Sequence, residues 1–152
     1  MPACLAAPPA QSLVSKKAPE IARADLNGLP VSLKSLRGKV VLLNFWATWC
    51  APCLVEMPVF SGWQQQYGPQ GFQVIGISMD DDAAQARKAI TRLKTSYPIV
   101  MGDAKLGAKY GGVMGLPLSY LIDRNGTVRA RYQGEAAVGT IEKQLKEMLA
   151  RP

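Results

Sequence analysis

The sequence contains no histidine and only three cysteines, which limits the metal chemistry available to it. Cys50 and Cys53 form a C-x-x-C pair, whereas Cys4 lies far away near the N-terminus. A C-x-x-C pair also suits half of a tetrahedral zinc site, but such a site usually needs two further cysteine or histidine ligands. One distant cysteine cannot complete that set. We therefore predict no metal site. The aromatic and methionine residues are interpreted as core or surface side chains, so no cofactor is predicted either.

Long apolar runs are also missing from the chain. No stretch approaches the roughly 20 apolar residues that a membrane-spanning helix needs, and the start lacks the charged and apolar regions of a signal peptide. We therefore expect the chain as given to be soluble. Residues 1–9 nevertheless resemble the start of an exported segment whose signal has been removed, so residues 1–17 are predicted to be a flexible tail or linker. Cys4 is a candidate lipid-bearing cysteine, and the alternative is an incidental tail thiol.

Acidic residues are few relative to basic ones. The chain has 18 Lys and Arg against 11 Asp and Glu, which gives a formal net charge of +7. Such a charge can indicate nucleic-acid binding, but the basic residues are scattered along the sequence, and no cluster interleaves them with aromatics. We predict no nucleic-acid partner and a solvated basic surface suited to anionic lipid or acidic partners.

The remaining composition indicates one globular domain, predicted over residues 18–152. With 152 residues, of which 48% are apolar, the chain can bury a core of its own. The nearly continuous apolar run at 40–45 is typical of a strand covered on both faces, as in a parallel sheet with helices above and below. Further strands are predicted at 30–33, 72–78, 98–101, 118–122 and 127–132, and helices at 50–67, 82–94, 104–110 and 138–150.

The C-x-x-C pair lies where the first core strand ends and a helix begins. Cysteines at positions i and i+3 share one helix face, so their sulfurs can join with little backbone movement. The positive end of the helix favours an anion and lowers the pKa of the Cys50 thiol, which makes Cys50 the predicted attacking thiolate. Cys53, one turn further in, is the predicted resolving thiol.

Several motifs together resemble the thioredoxin superfamily. They are FWATWCAPC at 45–53, a proline five residues after the second cysteine, and GLP at 115–117 followed by SYLID at 119–123. The sequence is most similar to the exported TlpA/ResA/CcmG-like thiol:disulfide oxidoreductases of bacteria. The resemblance implies an α/β thioredoxin-like fold, in which helices flank a central mixed β-sheet. It also implies an N-terminal strand extension and an inserted helix and strand at 82–101.

The resemblance also implies roles for residues outside the pair. Pro117 is expected to be a cis-proline beside the dithiol, which would leave the Leu116 backbone free to pair with an extended substrate segment. The alternative is an ordinary turn proline. Glu56 lies three residues beyond Cys53 on the same helix face and is a candidate proton relay to the resolving thiol. The alternative is a solvent-facing helix glutamate.

Residues next to the cysteines are expected to form the docking surface. Trp49 is predicted to shield the dithiol from water and, with Ala51 and Pro52, to contact the substrate. Trp46 is expected in the core. Asn44 occupies the place where cytosolic thioredoxins usually have a buried aspartate, which favours the exported subgroup.

We therefore predict a thiol:disulfide oxidoreductase that reduces protein disulfides in the bacterial periplasm or cell envelope, with cytochrome c maturation implied by the resemblance. The Ala51-Pro52 dipeptide lacks the histidine that helps strongly oxidising sites stabilise their thiolate, so a reducing potential is expected. Its expected partners are a disulfide-containing protein substrate and an upstream thiol reductant, for which a membrane-bound protein is a candidate. Two alternatives remain: a peroxiredoxin-like peroxidase, and a non-catalytic binding module with the thioredoxin fold.

Overall fold

The regular elements follow the predicted order, with boundaries that differ by about one residue. The computed structural model describes residues 13–134 and 138–151. The strands are β1 (Ala22–Ala24), β2 (Pro30–Ser32), β3 (Val40–Trp46), β4 (Phe72–Ser78), β5 (Ile99–Met101), β6 (Leu118–Ile122) and β7 (Val128–Gln133). The α-helices are α1 (Ala51–Tyr67), α2 (Ala83–Leu93), α3 (Ala104–Lys109) and α4 (Val138–Leu149).

The central sheet is mixed, as the resemblance implies. Its strand order is β5-β4-β3-β6-β7. β3, β4 and β5 are parallel, whereas β6 runs antiparallel to both β3 and β7. β1 and β2 form a separate antiparallel pair, which is the predicted N-terminal extension. The inserted segment contributes α2 and the edge strand β5.

β3 is buried on both faces, which explains its nearly unbroken apolar sequence. Val40, Leu42 and Trp46 pack in one core cluster with residues of α1, α2 and α4. The alternate residues pack in a second cluster with residues of α3 and the β1–β2 pair. The one polar residue of the strand, Asn44, is fully buried and donates from Nδ2 to the Ser119 hydroxyl on β6 at 3.0 Å.

The sheet has two distinct ends. β3 leads directly into the C-x-x-C segment at its C-terminus, and we call this the dithiol end. The strand register places Ile122 opposite Val41, near the start of β3, so the turn at 123–126 lies at the other end, which we call the far end. Seven strand residues separate the two ends by roughly 20 Å.

The chain preceding β1 contacts the far end. The Ser15 amide donates to the Val128 carbonyl at 2.8 Å, and the Val128 amide donates to the Lys16 carbonyl at 2.9 Å. Residues 15–17, which the sequence analysis placed in the tail, are thus paired with the domain, because their backbone groups extend the edge of β7. Cys4 and the rest of residues 1–12 lie outside the described residues.

Candidate active site

Cys50 and Cys53 are positioned by the first turn of α1. Cys50 is the N-cap residue, and its sulfur is joined to that of Cys53 in a disulfide with the two Cα atoms 5.4 Å apart. The Cys53 amide donates to the Cys50 sulfur at 3.3 Å. Pro52 lies in the first turn, where a missing amide proton costs nothing. After reduction, the same amide and the helix dipole favour a thiolate on Cys50.

The two cysteines differ in accessibility. Cys50 is 6% exposed, whereas Cys53 is completely buried. Cys53 belongs to the core cluster that contains Met57 and Phe60 of the same helix face. An incoming disulfide therefore reaches Cys50 more readily than Cys53, which agrees with the predicted order of attack.

Exposed apolar side chains occur around the dithiol. Trp49 is 71% exposed, Ala51 is exposed and Pro52 is half-buried. Trp46, by contrast, is fully buried, as predicted. Two further apolar side chains, Val55 at 73% and Met114 at 89% exposure, were not identified from the sequence. Val55 is one turn beyond Ala51, and Met114 lies just before the GLP motif, so both extend the apolar surface near the site.

The GLP motif lies at the same end of the sheet as the dithiol. The Leu116–Pro117 bond is cis, as the resemblance implies, and Pro117 is buried. Since Leu118 pairs with Phe45, continuing the register past Leu118 brings Pro117 level with the end of β3. Within the described part of the chain, the Leu116 backbone makes no hydrogen bond to another backbone group.

Glu56 lies in the interior and not on the solvent face of α1. It is 7% exposed. Burial and, secondarily, the negative charge of Glu56 raise the pKa of the Tyr97 hydroxyl, which places the carboxylate near that ring. The Trp46 indole lies near the same tyrosine ring, because a methyl group at Gly76 would meet both Trp46 Nε1 and Tyr97 Cε2 at 3.2 Å. A polar group three residues beyond Cys53 is therefore held inside the protein.

Asp80 supports the loop before Cys50 and was missed by the sequence analysis. Its side chain accepts hydrogen bonds from the Thr48 amide at 3.1 Å, the Thr48 hydroxyl at 2.6 Å and the Ser78 hydroxyl at 2.8 Å. Thr48 is two residues before Cys50, so Asp80 ties the end of β4 to this loop. The available signal was the run DDD at 80–82, which begins two residues after a core strand.

We predict that Asp80→Ala lowers kcat/KM for a protein disulfide by about tenfold, because small displacements of a reacting group reduce rates steeply. Asp80→Asn keeps one acceptor oxygen for Thr48 and is expected to retain most activity. Asp81→Ala, at an exposed neighbouring position, is the matched control and should leave kcat/KM unchanged. Equal losses in the Asp80→Ala and Asp81→Ala proteins would contradict a positioning role for Asp80.

Two structural features are absent from the described residues. Within residues 13–134 and 138–151, no group of three or more Cys, Asp or Glu side chains is arranged to hold a metal ion. No helix in these same ranges is long and apolar enough to cross a membrane.

The fold and the buried, helix-capping disulfide define a thioredoxin-like thiol-disulfide oxidoreductase. The chain belongs to the AhpC/TSA family, whose model matches residues 14–131. Known proteins agree with this class. Thiol-disulfide oxidoreductase ResA of Bacillus thuringiensis subsp. konkukian is 33% identical over 135 residues, which cover 89% of this chain and 78% of that protein. The thioredoxin-like protein YneN of Bacillus subtilis is 32% identical and is covered over 77% of its length, with 86% of this chain matched.

A solved structure is also similar. It is the crystal structure of a Chlorobium tepidum protein assigned as thiol:disulfide interchange protein DsbE, with a TM-score of 0.83 and 32% identity. The match covers 90% of this chain and 97% of that one. The resemblance to TlpA/ResA/CcmG-like proteins, the predicted fold class and the predicted enzyme class are therefore confirmed.

Proposed function

We propose that this oxidoreductase works as a reductant of protein disulfides in the bacterial periplasm or cell envelope. The observation that carries the proposal is the asymmetric dithiol, with Cys50 at the surface end of the pair and Cys53 closed off in the core. The proposed direction of electron flow is supported by the Ala-Pro dipeptide between the cysteines. The proposed location, and cytochrome c maturation as the pathway, are supported by the resemblance to TlpA/ResA/CcmG-like proteins.

The reaction proceeds by two thiol–disulfide exchanges. The Cys50 thiolate attacks one sulfur of the substrate disulfide, and the other substrate sulfur leaves as a thiolate that takes up a proton. Cys53 loses its proton and attacks the Cys50 sulfur of the mixed disulfide. The second substrate thiolate then leaves, so the substrate gains two electrons and the enzyme becomes a disulfide. An upstream thiol reductant, for which we propose a membrane-bound protein, returns the two electrons to the pair.

The neighbouring residues assist these steps. Glu56 accepts the proton of Cys53 during resolution, since it is buried one turn further along the same helix face. The Leu116 backbone, held beside cis-Pro117, pairs with an extended stretch of the substrate. Trp49, Ala51 and Pro52 contact the substrate side chains near its disulfide. Cys4 is proposed as a lipid anchor.

The redox state of the pair in living cells tests the proposal. Cells that produce the natural protein are quenched in acid, alkylated and fractionated, and the modification of Cys50 and Cys53 is read by mass spectrometry. We expect the protein in the envelope fraction with the pair mainly as a dithiol, because a reductant must be kept charged with electrons. A pair held mainly as a disulfide would contradict the direction, and a cytoplasmic protein would contradict the location.

A further inference from the structure

Basic residues from distant parts of the chain gather at the far end of the sheet. Seven basic residues surround the turn at 123–126, and we call this set the basic end. They are Lys16, Lys17, Arg37, Lys39, Arg124, Arg129 and Arg151. Two acids, Asp123 and Glu147, line a depression between some of these residues. Part of the positive charge that appears scattered in the sequence is therefore gathered at one end of the domain.

Hydrogen bonds bring these residues together from distant parts of the chain. Lys17 Nζ donates to the Asn125 carbonyl at 2.7 Å, and the Arg37 guanidinium lies against Gly126. Arg124 Nη1 donates to the carbonyl of Gly38, the residue between Arg37 and Lys39, at 2.7 Å. The Lys16 carbonyl accepts a hydrogen bond from the Val128 amide, and the Arg151 carbonyl accepts one from Arg124 Nε.

The charges of the basic end are mostly uncompensated. Arg129 pairs with Asp123 at 2.6 Å, whereas the four recorded hydrogen bonds of the Arg124 side chain go to backbone carbonyls, which carry no net charge. Lys16, Lys17, Arg37, Lys39 and Arg151 are all exposed. A surface of this kind attracts a polyanion or an anionic surface.

The shape and composition of the basic end favour lipid over nucleic acid. Its depression of about 200 Å³ is lined by charged and polar side chains together with Met148, and no aromatic side chain is among the lining residues that the structure describes. Stacking of bases, on which single-stranded nucleic-acid binding depends, therefore has no platform here. Headgroups of anionic lipid need only positive charge at short range.

Four aspartates lie at the opposite end of the sheet. Asp80, Asp81 and Asp82 follow β4 at the dithiol end, and Asp103, which follows β5, forms an ion pair with Arg23 at 3.6 Å.

We propose that the basic end docks on an anionic lipid surface and keeps Cys50 and Cys53 on the side that faces away from it. The inference rests on the proposed envelope location, but it requires neither a given direction of electron flow nor a lipid on Cys4. Docking in this orientation leaves Trp49 and the apolar residues around the dithiol free to receive a substrate.

Vesicle binding tests the proposal. The chain is mixed with vesicles of phosphatidylcholine alone or with about one-third phosphatidylglycerol, and bound protein is measured by co-sedimentation at low and high salt. One variant carries Lys16→Gln, Lys39→Gln and Arg151→Gln. The matched control carries Lys88→Gln, Lys105→Gln and Lys109→Gln on α2 and α3, which removes the same charge outside the basic end. Disulfide reduction by both variants is measured in solution without vesicles.

We expect salt-sensitive binding to the anionic vesicles alone. Each basic side chain near such a surface contributes about fivefold to partitioning, so the basic-end variant should bind on the order of 100-fold more weakly, and the control much less so. Acrylamide should still quench the tryptophan fluorescence of the bound protein, because Trp49 stays exposed in the proposed orientation. The quenching reports on Trp49, since the other two tryptophans are buried. Equal losses in both variants, shielding of Trp49, or tighter binding to a single-stranded oligonucleotide would overturn the proposal. Failure of the unmodified protein to reduce a disulfide in solution would instead count against the proposed function.

Discussion

Replacing Cys50 with serine is expected to abolish reduction of a protein disulfide. In the Cys53→Ser protein, the reaction should stop at the mixed disulfide between Cys50 and the substrate. Without the Cys50 sulfur there is no nucleophile at the surface end of the pair, because Cys53 is completely buried. Without Cys53 the mixed disulfide on Cys50 has no internal thiol to resolve it. The Cys53→Ser protein should therefore accumulate covalently bound substrate, detectable by intact-mass spectrometry and released by dithiothreitol.

Cys4→Ser is the control for this pair of variants, since it removes the third cysteine and should leave turnover unchanged. A Cys50→Ser protein that traps substrate through Cys53 would reverse the assigned order. A Cys50→Ser protein that keeps full biological activity would instead support the binding-module alternative. Rapid consumption of peroxide by the reduced, unmodified protein would support the peroxidase alternative.

Glu56→Gln should have the second-largest effect, on the resolving step. A positioned general base contributes at least about 100-fold to a proton transfer, so resolution should slow by that order near neutral pH. The mixed disulfide should then accumulate during turnover. Raising the pH should restore the rate, because Cys53 then loses its proton to water without help. Stopped-flow mixing of the reduced protein with a disulfide peptide, at a series of pH values, measures both effects.

Glu142→Gln is the matched control for Glu56→Gln. Glu142 also carries a partly buried carboxylate, which accepts a hydrogen bond from the Tyr67 hydroxyl at 2.7 Å, but it lies on α4 away from the cysteines. Its replacement should leave the pH dependence of resolution unchanged. A Glu56→Gln protein whose resolving step is slowed equally at every pH would indicate a structural role for Glu56. So would a loss in the free energy of unfolding that matches the loss in rate.

Local patterns in the sequence predict the elements and the dithiol well. The apolar run of β3 and the position of Cys50 before α1 depend on short-range periodicity, and the structure retains both. The sequence left a proton relay and a solvent-facing glutamate as alternatives for Glu56, and its burial was not predicted, because spacing gives its relation to Cys53 but not what covers that face. The cis bond at Pro117 came from the family resemblance and not from a pattern in the residues.

Contacts between residues far apart in the sequence could not be predicted from local patterns. Thr48 and Asp80 are 32 positions apart, and only the parallel pairing of β3 with β4 brings them together. The basic end is assembled from four separate stretches of chain, so its charges look dispersed when the sequence is followed in order. The exposure of Met114 likewise depends on how its loop packs, and the sequence offers no periodic signal for it.

The reduction potential of the Cys50/Cys53 pair tests the central claim most directly. The protein is equilibrated in glutathione or dithiothreitol buffers, and the dithiol fraction is followed by alkylation or tryptophan fluorescence. We predict one reversible two-electron couple at or below about −220 mV, toward the thioredoxin end of the known range. A potential near about −120 mV would make the protein an oxidant or isomerase and would contradict the proposed reductase.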